Sequence, residues 1–301
     1  MELFQLGMDE DLLEHLKENG FDSVEKLALA LPEDLAQKLS LKLSTAKQLV
    51  QSAKNAIILN FRSALEMLEE RQRVERIPTG SKDLDRILGG GVEVGAITEF
   101  FGEYGSGKSQ IAHQLCVNVQ LIEGNKKAVF VDTEGSFRPE RILQMARRAA
   151  SDPKDILKGI LVVRVYDTDQ QTLVVRKLGD MIKQVGLLVI DSISNLFRSE
   201  YSGRESLAQR QQKLCRHLAD LKRVAEVDHL AVVITNQVLA RPEIFGDPTS
   251  PVGGNILGHA VTHRVYLRRG KGEARTAIIV DSPNLPCLSA NFRITEDGIS
   301  D

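Results

Sequence analysis

The stretch AITEFFGEYGSGKSQIAHQL, residues 96–115, decides the fold. The apolar run AITEFF is typical of a buried strand and leads into GEYGSGKS, residues 102–109, which matches the pattern G-x-x-x-x-G-K-[ST]. The run SQIAHQLCVNVQLI that follows has the apolar spacing of a helix. A strand, a glycine-rich loop and a helix in this order predict a loop that binds the phosphates of a nucleoside triphosphate.

The chemistry of such a loop follows from its residue types. Glycines let the backbone turn its N–H groups toward phosphate oxygens, and the N-terminus of the following helix adds its dipole. Lys108 supplies a cation for the β- and γ-phosphates and is a candidate catalytic residue, while Ser109 can ligate Mg²⁺. We expect the nucleotide to contact Gly102, Glu103, Tyr104, Gly105, Ser106, Gly107, Lys108, Ser109 and Gln110.

Three polar residues after other apolar runs complete a candidate ATPase site. Asp191 in GLLVIDS is the expected second Mg²⁺ ligand, together with Ser109. Glu134 in VFVDTEGSF is the expected base for the attacking water, with a structural cap as its alternative role and Asp132 as the less favoured base. Gln237 in VVITNQV stands where an amide could contact the γ-phosphate or its water, and its alternative is an ordinary turn residue.

The pattern along the chain predicts two parts. Residues 1–56 contain short amphipathic helices with start signals at Asp9, Ser23, Pro32 and Ser44. From residue 76, β-rich runs such as KAVFVD, GILVVRV and LAVVIT alternate with helical stretches, which predicts an α/β core with a mostly parallel sheet. After residue 258 the runs HAVTHRVYLRR, ARTAIIVDS and CLSANFRIT predict an antiparallel or mixed edge. We expect a helical N-terminal domain (1–56), a linker (57–75) and a core (76–301).

Composition narrows the class of protein. The hydrophobic share of 42% and charged share of 27% are ordinary for a globular protein, and no apolar run is long enough to span a bilayer. A net charge of −2 means that any nucleic-acid contact must come from local basic loops. The 3 cysteines are widely spaced, which favours a reducing compartment, and we expect a cytoplasmic location, or a nuclear one in a eukaryote. His259 and His263 are four apart in a strand-like segment without a third ligand, so a zinc site is not expected.

The order of these motifs resembles that of RecA-class strand-exchange recombinases, above all archaeal RadA and its eukaryotic relatives. The resemblance covers nearly the whole chain and implies a RecA-like P-loop ATPase core behind a helix-hairpin-helix-like N-terminal domain. The stretch LSLKLSTAK lacks the glycine of that hairpin, so a packing or partner-contact role is as well supported there as duplex binding. The motifs that carry the resemblance are TGSKDLDRILGGGVEVGAITEFFGEYGSGKSQ, VDTEGSFRPERI, LLVIDSIS, YSGRESLAQRQQ, VVITNQV, GGNILGHAVTHRVYLRRG and DSPNLP.

The resemblance gives the linker a role. Members of the class polymerise by docking an F-x-x-A motif into a neighbouring ATPase domain, and Phe61 and Ala64 stand at its two fixed positions. A heterologous contact of this kind builds an open helical filament rather than a closed dimer. The alternatives are that Phe61 packs on its own N-terminal bundle, or that the protein forms a closed ring.

The resemblance also implies contacts with DNA and with a nucleotide shared between subunits. Two loops would bind DNA: FRSEYSGRESLAQRQQ, and the Gly- and Pro-rich VLARPEIFGDPTSPVGGN. Without the resemblance, the arginines of the first loop would be interpreted as a solvent-exposed face. Arg141 matches a residue that stacks on adenine, Asp281 to Pro286 match a cap that the neighbour places over the nucleotide, and Cys287 departs from the acidic residue usual there. His259 matches a position that relays between the nucleotide and DNA sites, and its alternative role is that of a satisfied interior histidine. The expected DNA contacts are Arg198, Arg204, Arg210, Gly253 and Gly254.

The implied function is that of a DNA-dependent ATPase that forms filaments on single-stranded DNA and pairs it with a homologous duplex. ATP and Mg²⁺ are the implied cofactors, and the implied partners are single- and double-stranded DNA, further copies of the chain and recombination mediators. The alternative is a recombinase paralogue that acts as a mediator with little ATPase activity.

Overall fold

A computed structural model of the 301-residue chain describes all residues except 1–2, 59–60, 125, 148, 150–151, 182–183, 204, 241–248 and 253. The chain divides into two units, Met1–Arg73 and Val74–Asp301. The expected limits 1–56, 57–75 and 76–301 stay a prediction.

The first unit is helical because short amphipathic segments are separated by good capping residues. Asp9 and Ser23 accept hydrogen bonds from backbone N–H groups in the first turns of their helices, and Pro32 opens the third helix. Ser44 is not the start signal we expected, because its helix begins one residue earlier at Leu43. Leu16, Leu27 and other buried side chains form one core. The helices are α1 Glu10–Glu18, α2 Val24–Leu29, α3 Pro32–Lys38, α4 Leu43–Ile58 and α5 Ala64–Gln72, preceded by a 3₁₀ turn at Leu3–Leu6.

The second unit is built on a twisted sheet whose central strands are parallel. Along the sheet the strands follow the order β12-β11-β10-β9-β3-β7-β6-β4-β5, β8 pairs with β7, and β1 and β2 form a separate antiparallel pair. The strands are β1 Arg76–Ile77, β2 Val92–Glu93, β3 Ile97–Gly102, β4 Lys127–Asp132, β5 Ile160–Arg164, β6 Val185–Asp191, β7 Ala231–Ala240, β8 Thr249–Pro251, β9 His263–Arg269, β10 Ala274–Asp281, β11 Ser289–Thr295 and β12 Gly298–Ser300.

Helices cover both faces of this sheet, because the central strands are apolar on both sides. One core contains Phe100, Phe130 and Val189 with side chains from α6 to α9, and the other contains Val131, Ile190 and side chains from α10 to α13. This is the α/β core that the sequence predicts. The helices are α6 Lys82–Ile87, α7 Lys108–Asn118, α8 Pro139–Ala146, α9 Pro153–Lys158, α10 Thr168–Met181, α11 Asn195–Glu200, α12 Leu207–Val227 and α13 Gly254–Ala260.

The C-terminal strands form the expected mixed edge. β9 lies parallel to β3, and β10, β11 and β12 then follow as an antiparallel meander. The strand-like reading of HAVTHRVYLRR is wrong at its start, since His259 lies in α13 and the strand begins at His263. Among the described residues, no helix has both the length and the apolar composition that crossing a bilayer requires.

Candidate functional site

The phosphate loop joins β3 to α7 through a backbone that requires glycine. Gly105 and Gly107 have φ values of 74° and 106°, in the left-handed region. A Cβ on Gly102 would lie 2.3 Å from the Leu267 carbonyl oxygen of the neighbouring strand, so only glycine fits there. The helix begins at Lys108, directly after Gly107, and its first N–H groups therefore open onto the loop.

The side chains of this loop leave room for an anionic ligand. Lys108 Nζ donates to the carbonyl oxygens of Gly102 and Glu103 at 2.9 and 2.8 Å. Burial lowers the pKa of Lys108, and the nearby carboxylates of Asp191 and Glu134 oppose that shift. The Ser106 hydroxyl is buried and has no hydrogen-bond partner among the described residues, whereas Tyr104 is 98% exposed. The Lys108 ammonium group and the N-terminal N–H groups of α7 suit a bound phosphate chain.

Asp191 ends β6 beside this loop and is held by hydroxyl groups. Its Oδ2 accepts a hydrogen bond from Ser136 Oγ at 2.8 Å, and its Oδ1 accepts one from Thr235 Oγ1. The side chain is buried, and the peptide bond to Ser192 is cis. With the Ser109 hydroxyl at the start of α7, these hard oxygen donors suit Mg²⁺.

Glu134 and Gln237 meet at the carboxyl edge of the sheet. Gln237 Nε2 donates to Glu134 Oε1 at 3.1 Å, and Ser192 Oγ donates to the same oxygen at 2.6 Å. Glu134 and Gln237 are exposed, so both side chains are open to solvent and to ligands. Gln237 does not end its strand, because β7 continues to Ala240, but the parallel pairing with β3 stops at the pair Gly102–Gln237.

Asp132 has the structural role that had been an alternative for Glu134. Its Oδ1 accepts the backbone N–H groups of Glu134, Gly135 and Ser136 at 3.1, 2.7 and 3.1 Å. The carboxylate also pairs with Arg164 NH1 at 3.0 Å. The turn N–H groups and Arg164 thus occupy the buried Asp132 carboxylate, whereas the exposed Glu134 carboxylate is open to a ligand.

Arg141 lies in α8 and is fixed beside the start of α7. Its guanidinium donates to Gln110 Oε1 at 2.7 Å, to Gln144 Oε1 at 2.9 Å and to the carbonyl oxygens of Thr295 and Glu296 at 2.7 and 2.6 Å. Partial burial lowers the pKa of this guanidinium. The contact with Gln110 brings Arg141 to the phosphate loop, while its stacking on adenine stays a prediction.

Asp281 and Pro286 lie near the opposite end of the strands from the phosphate loop of the same chain. β10 runs antiparallel to β9, which is parallel to β3, and Asp281 pairs with Arg264 near the start of that strand. Both residues are exposed. The structure therefore does not bring this pair to its own chain's nucleotide site, which is compatible with a cap that acts on a neighbouring copy.

The expected DNA contacts are only partly described. Arg198 is exposed in α11, Arg210 is half-buried in the first turn of α12, and Gly254 opens α13 with a φ of 55°. Arg204 and Gly253 lie outside the described residues, as do residues 241–248 of the second loop. The second loop is more regular than expected where it is described, because Val238–Ala240 of β7 pairs with β8.

Phe61 does not belong to the core of the first unit. Its side chain is 92% exposed, and the core of that unit is made by other residues. Ala64 opens α5, where Ser63 and Glu66 form a capping box: Glu66 N donates to Ser63 Oγ at 3.2 Å, and Ser63 N donates to Glu66 Oε2 at 2.7 Å. No residue of α5 is buried. The alternative in which Phe61 packs on its own bundle is therefore wrong.

Sequence reasoning missed three groups around this site. Ser192 donates to the candidate base, Ser136 and Thr235 hold the candidate metal ligand, and Asn236 lies in a buried polar cluster. The adjacency of Ser192 to Asp191 was visible in the sequence, but its contact with Glu134 depends on β4 and β6 being neighbours. That neighbourhood is a property of strand order, which the motifs do not specify.

Sequence comparison with known proteins places the chain in a family. The Rad51 family profile matches residues 70–301. The chain is 47% identical over 302 aligned residues to the DNA repair and recombination protein RadA of Aeropyrum pernix, covering 98% of this chain and 95% of that protein. It is 46% identical to the DNA repair and recombination protein RadA of Metallosphaera sedula, over 98% of this chain and 94% of that protein. This chain belongs to the Rad51 family of the RecA class.

Proposed function

We propose that this protein is a DNA-dependent ATPase that polymerises on single-stranded DNA and catalyses homologous pairing and strand exchange in recombinational repair. The observation that carries the proposal is the meeting of Glu134 and Gln237 beside a complete phosphate loop. The printed names of the relatives, which refer to DNA repair and recombination, support the same function.

ATP hydrolysis is assigned to the carboxyl edge of the sheet. The loop N–H groups and Lys108 bind the phosphates, and the ammonium group stabilises charge that develops on the transferred phosphoryl group. Glu134 accepts a proton from the attacking water at Oε2, because its Oε1 already accepts hydrogen bonds from Ser192 and Gln237, which hold the carboxylate in position. Gln237 can in addition donate to the γ-phosphate or to the water, which makes its position sensitive to the nucleotide state.

A divalent cation fits the same edge. Ser109 and Asp191 would hold Mg²⁺, and the ion would neutralise charge on the β- and γ-phosphates when it is bound. The Ser136 and Thr235 hydroxyls orient the Asp191 carboxylate.

We assign polymerisation to Phe61 and Ala64. We assign contact with the nucleotide of a neighbouring copy to Asp281 and Pro286. An exposed Phe that enters a pocket of a neighbour gains about 1.5–3 kcal/mol from burial of its ring. DNA would be bound through Arg198, Arg204, Arg210, Gly253 and Gly254. These residues would mainly contact the DNA backbone, so the affinity would fall steeply with salt and depend little on base sequence.

The alternative of a mediator with little ATPase activity predicts a defective catalytic site. Among the described residues the catalytic groups are present and connected by hydrogen bonds, and this favours an active ATPase.

The test is a strand-exchange assay with fluorescently labelled DNA, carried out with ATP and Mg²⁺. We expect exchange with a homologous duplex, none with a heterologous duplex, and ATP hydrolysis that single-stranded DNA stimulates. DNA binding without hydrolysis and without exchange would favour the mediator instead.

A further inference from the structure

Asn236 is a fully buried residue inside β7, directly before Gln237. Its side-chain Nδ2 donates to Glu99 Oε1 at 2.8 Å and to the Val252 carbonyl oxygen at 2.7 Å. Its Oδ1 accepts from Ser194 Oγ at 2.8 Å and from the Gln237 backbone N–H at 3.0 Å. Both amide hydrogens and the amide oxygen are therefore used, which fixes the orientation of this side chain.

The partners of Asn236 come from three different segments of the core. Glu99 belongs to β3, the strand that leads into the phosphate loop, and its Oε2 accepts from Arg264 Nε at 2.6 Å. Ser194 follows the Asp191–Ser192 pair and precedes α11. Val252 follows β8 and precedes α13. One side chain thus connects the strands that carry the phosphate loop, the candidate metal ligand and the candidate water-positioning amide.

Val252 is held at both of its backbone polar groups. Its N–H donates to the Gln237 carbonyl oxygen at 2.9 Å, while its own carbonyl accepts from Asn236. Asn236 and Gln237 therefore both hydrogen-bond to the backbone of Val252, so a displacement of Val252 would also displace Gln237. Gln237 in turn donates to Glu134 Oε1.

We propose that Asn236 is a positioning residue that couples DNA binding to ATP hydrolysis. It ties the chain at Val252, one residue before the proposed DNA contacts Gly253 and Gly254, to Gln237 and hence to Glu134. The proposal rests on the proposed function, which assigns the DNA contacts and the water-activating pair. It differs from that function in naming the bond from Asn236 Nδ2 to the Val252 carbonyl as the link between the two.

The test separates the two hydrogen bonds that Asn236 donates. In Asn236→Asp the oxygen that accepts from Ser194 and Gln237 remains, but both donated bonds are lost and a carboxylate faces Glu99. In the exchanged pair Glu99→Gln/Asn236→Asp, the new glutamine donates to the new aspartate and still accepts from Arg264 with its oxygen. The exchange therefore restores the bond to β3 but leaves the Val252 carbonyl without a donor.

We expect Asn236→Asp to lower the melting temperature and to reduce the stimulation of ATP hydrolysis by single-stranded DNA about tenfold. In the exchanged pair, the melting temperature should recover toward that of the native protein. The stimulation of ATP hydrolysis by single-stranded DNA should remain as low as in Asn236→Asp. Full stimulation in Asn236→Asp, or recovery of stimulation in the exchanged pair, would overturn the proposal. A native protein that hydrolyses ATP without any response to DNA would overturn the proposed function as well, so the two failures differ.

A matched control uses another buried asparagine. Asn118 at the end of α7 donates to the Pro78 carbonyl oxygen at 2.6 Å, far along the helix from the phosphate loop. Asn118→Asp should lower the melting temperature and leave the response to DNA intact. Loss of stimulation in this control would show that destabilisation alone removes coupling, which would contradict the assignment to Asn236.

Discussion

At the scale of single residues, Glu134 and Asp132 show how position decides the role of a carboxylate. They are two apart in the sequence, yet Asp132 accepts the N–H groups of the turn and pairs with Arg164, while Glu134 faces Ser192 and Gln237. The sequence favours Glu134 as the base and leaves Asp132 as the less favoured candidate. The difference appears only when three strands are placed side by side.

Replacement of Glu134 by glutamine should leave nucleotide binding intact and lower the rate of ATP hydrolysis about 10²–10⁴-fold, because the amide cannot accept the water's proton. The measurement is steady-state hydrolysis together with binding of a fluorescent ATP analogue. Asp132→Asn is the matched control. It should lower stability by about 1–3 kcal/mol through loss of the turn and of the Arg164 pair. Equal hydrolysis in native protein and Glu134→Gln would contradict the assignment.

His113 gives the protein a dependence of stability on pH. The ring is buried in α7 between Phe130 and Phe137, and neither nitrogen has a hydrogen-bond partner among the described residues. Burial lowers the pKa of His113 to about 4, which the nearby Asp191 carboxylate opposes only in part. The unfolded chain takes up the proton near its ordinary pKa of about 6.5, so protonation favours unfolding as the pH falls from about 6.5 to about 4.

We expect His113 to cost the native protein about 2 kcal/mol of stability at about pH 5 relative to neutral pH. The change to test is His113→Leu, and the measurement is the melting temperature of both proteins at the two pH values. The variant should lose less stability on acidification than the native protein does. An equal loss in both proteins would mean that His113 does not contribute.

At the scale of elements, the phosphate loop and its helix are the part that the sequence specifies most fully. Glycine spacing, Lys108 and the following helical run predict the strand, the loop and the helix, and the structure has all three. The sequence was less informative for β7, which continues past Gln237, and for His259, which lies in α13 rather than in a strand. Those elements depend on β8 and on packing against α12, which no local pattern encodes.

Gly107→Ala should weaken ATP binding at the loop. The residue has a φ of 106°, which strains any residue with a Cβ, and the added Cβ would lie 2.7 Å from Ile294 Cδ1, so the Ile294 side chain would have to move as well. The left-handed backbone alone costs about 1–2 kcal/mol for alanine. Binding of a fluorescent ATP analogue measures the effect.

Gly124→Ala is the control for that substitution. Gly124 also has a positive φ, 90°, but an added Cβ there would meet only the Lys126 side chain at 3.8 Å. It should lose a similar amount of stability without losing nucleotide binding. Unchanged binding in Gly107→Ala, or equal losses of binding in both variants, would contradict a specific role for the Gly107 backbone.

At the scale of the whole molecule, two observations concern side chains that are exposed in the single chain. Phe61 is 92% exposed in the first unit, and the Asp281–Pro286 segment lies near the ends of the strands that are farthest from the phosphate loop of its own chain. Such features are expected when neighbouring copies complete the site. The resemblance to strand-exchange recombinases implies this through the F-x-x-A motif, and the structure places Phe61 outside the core of its own bundle.

The central claim, that the protein acts as a polymer of copies joined through Phe61, is tested most directly by light scattering with single-stranded DNA, ATP and Mg²⁺. The native protein should grow to filaments, and Phe61→Glu should remain unpolymerised, because a charged side chain cannot enter an apolar pocket without a large cost of desolvation. Phe4→Glu is the control, since Phe4 is another exposed phenylalanine of the first unit, at 64%. Polymerisation of Phe4→Glu alongside loss in Phe61→Glu is the predicted result. Filaments of normal size from Phe61→Glu would contradict the account.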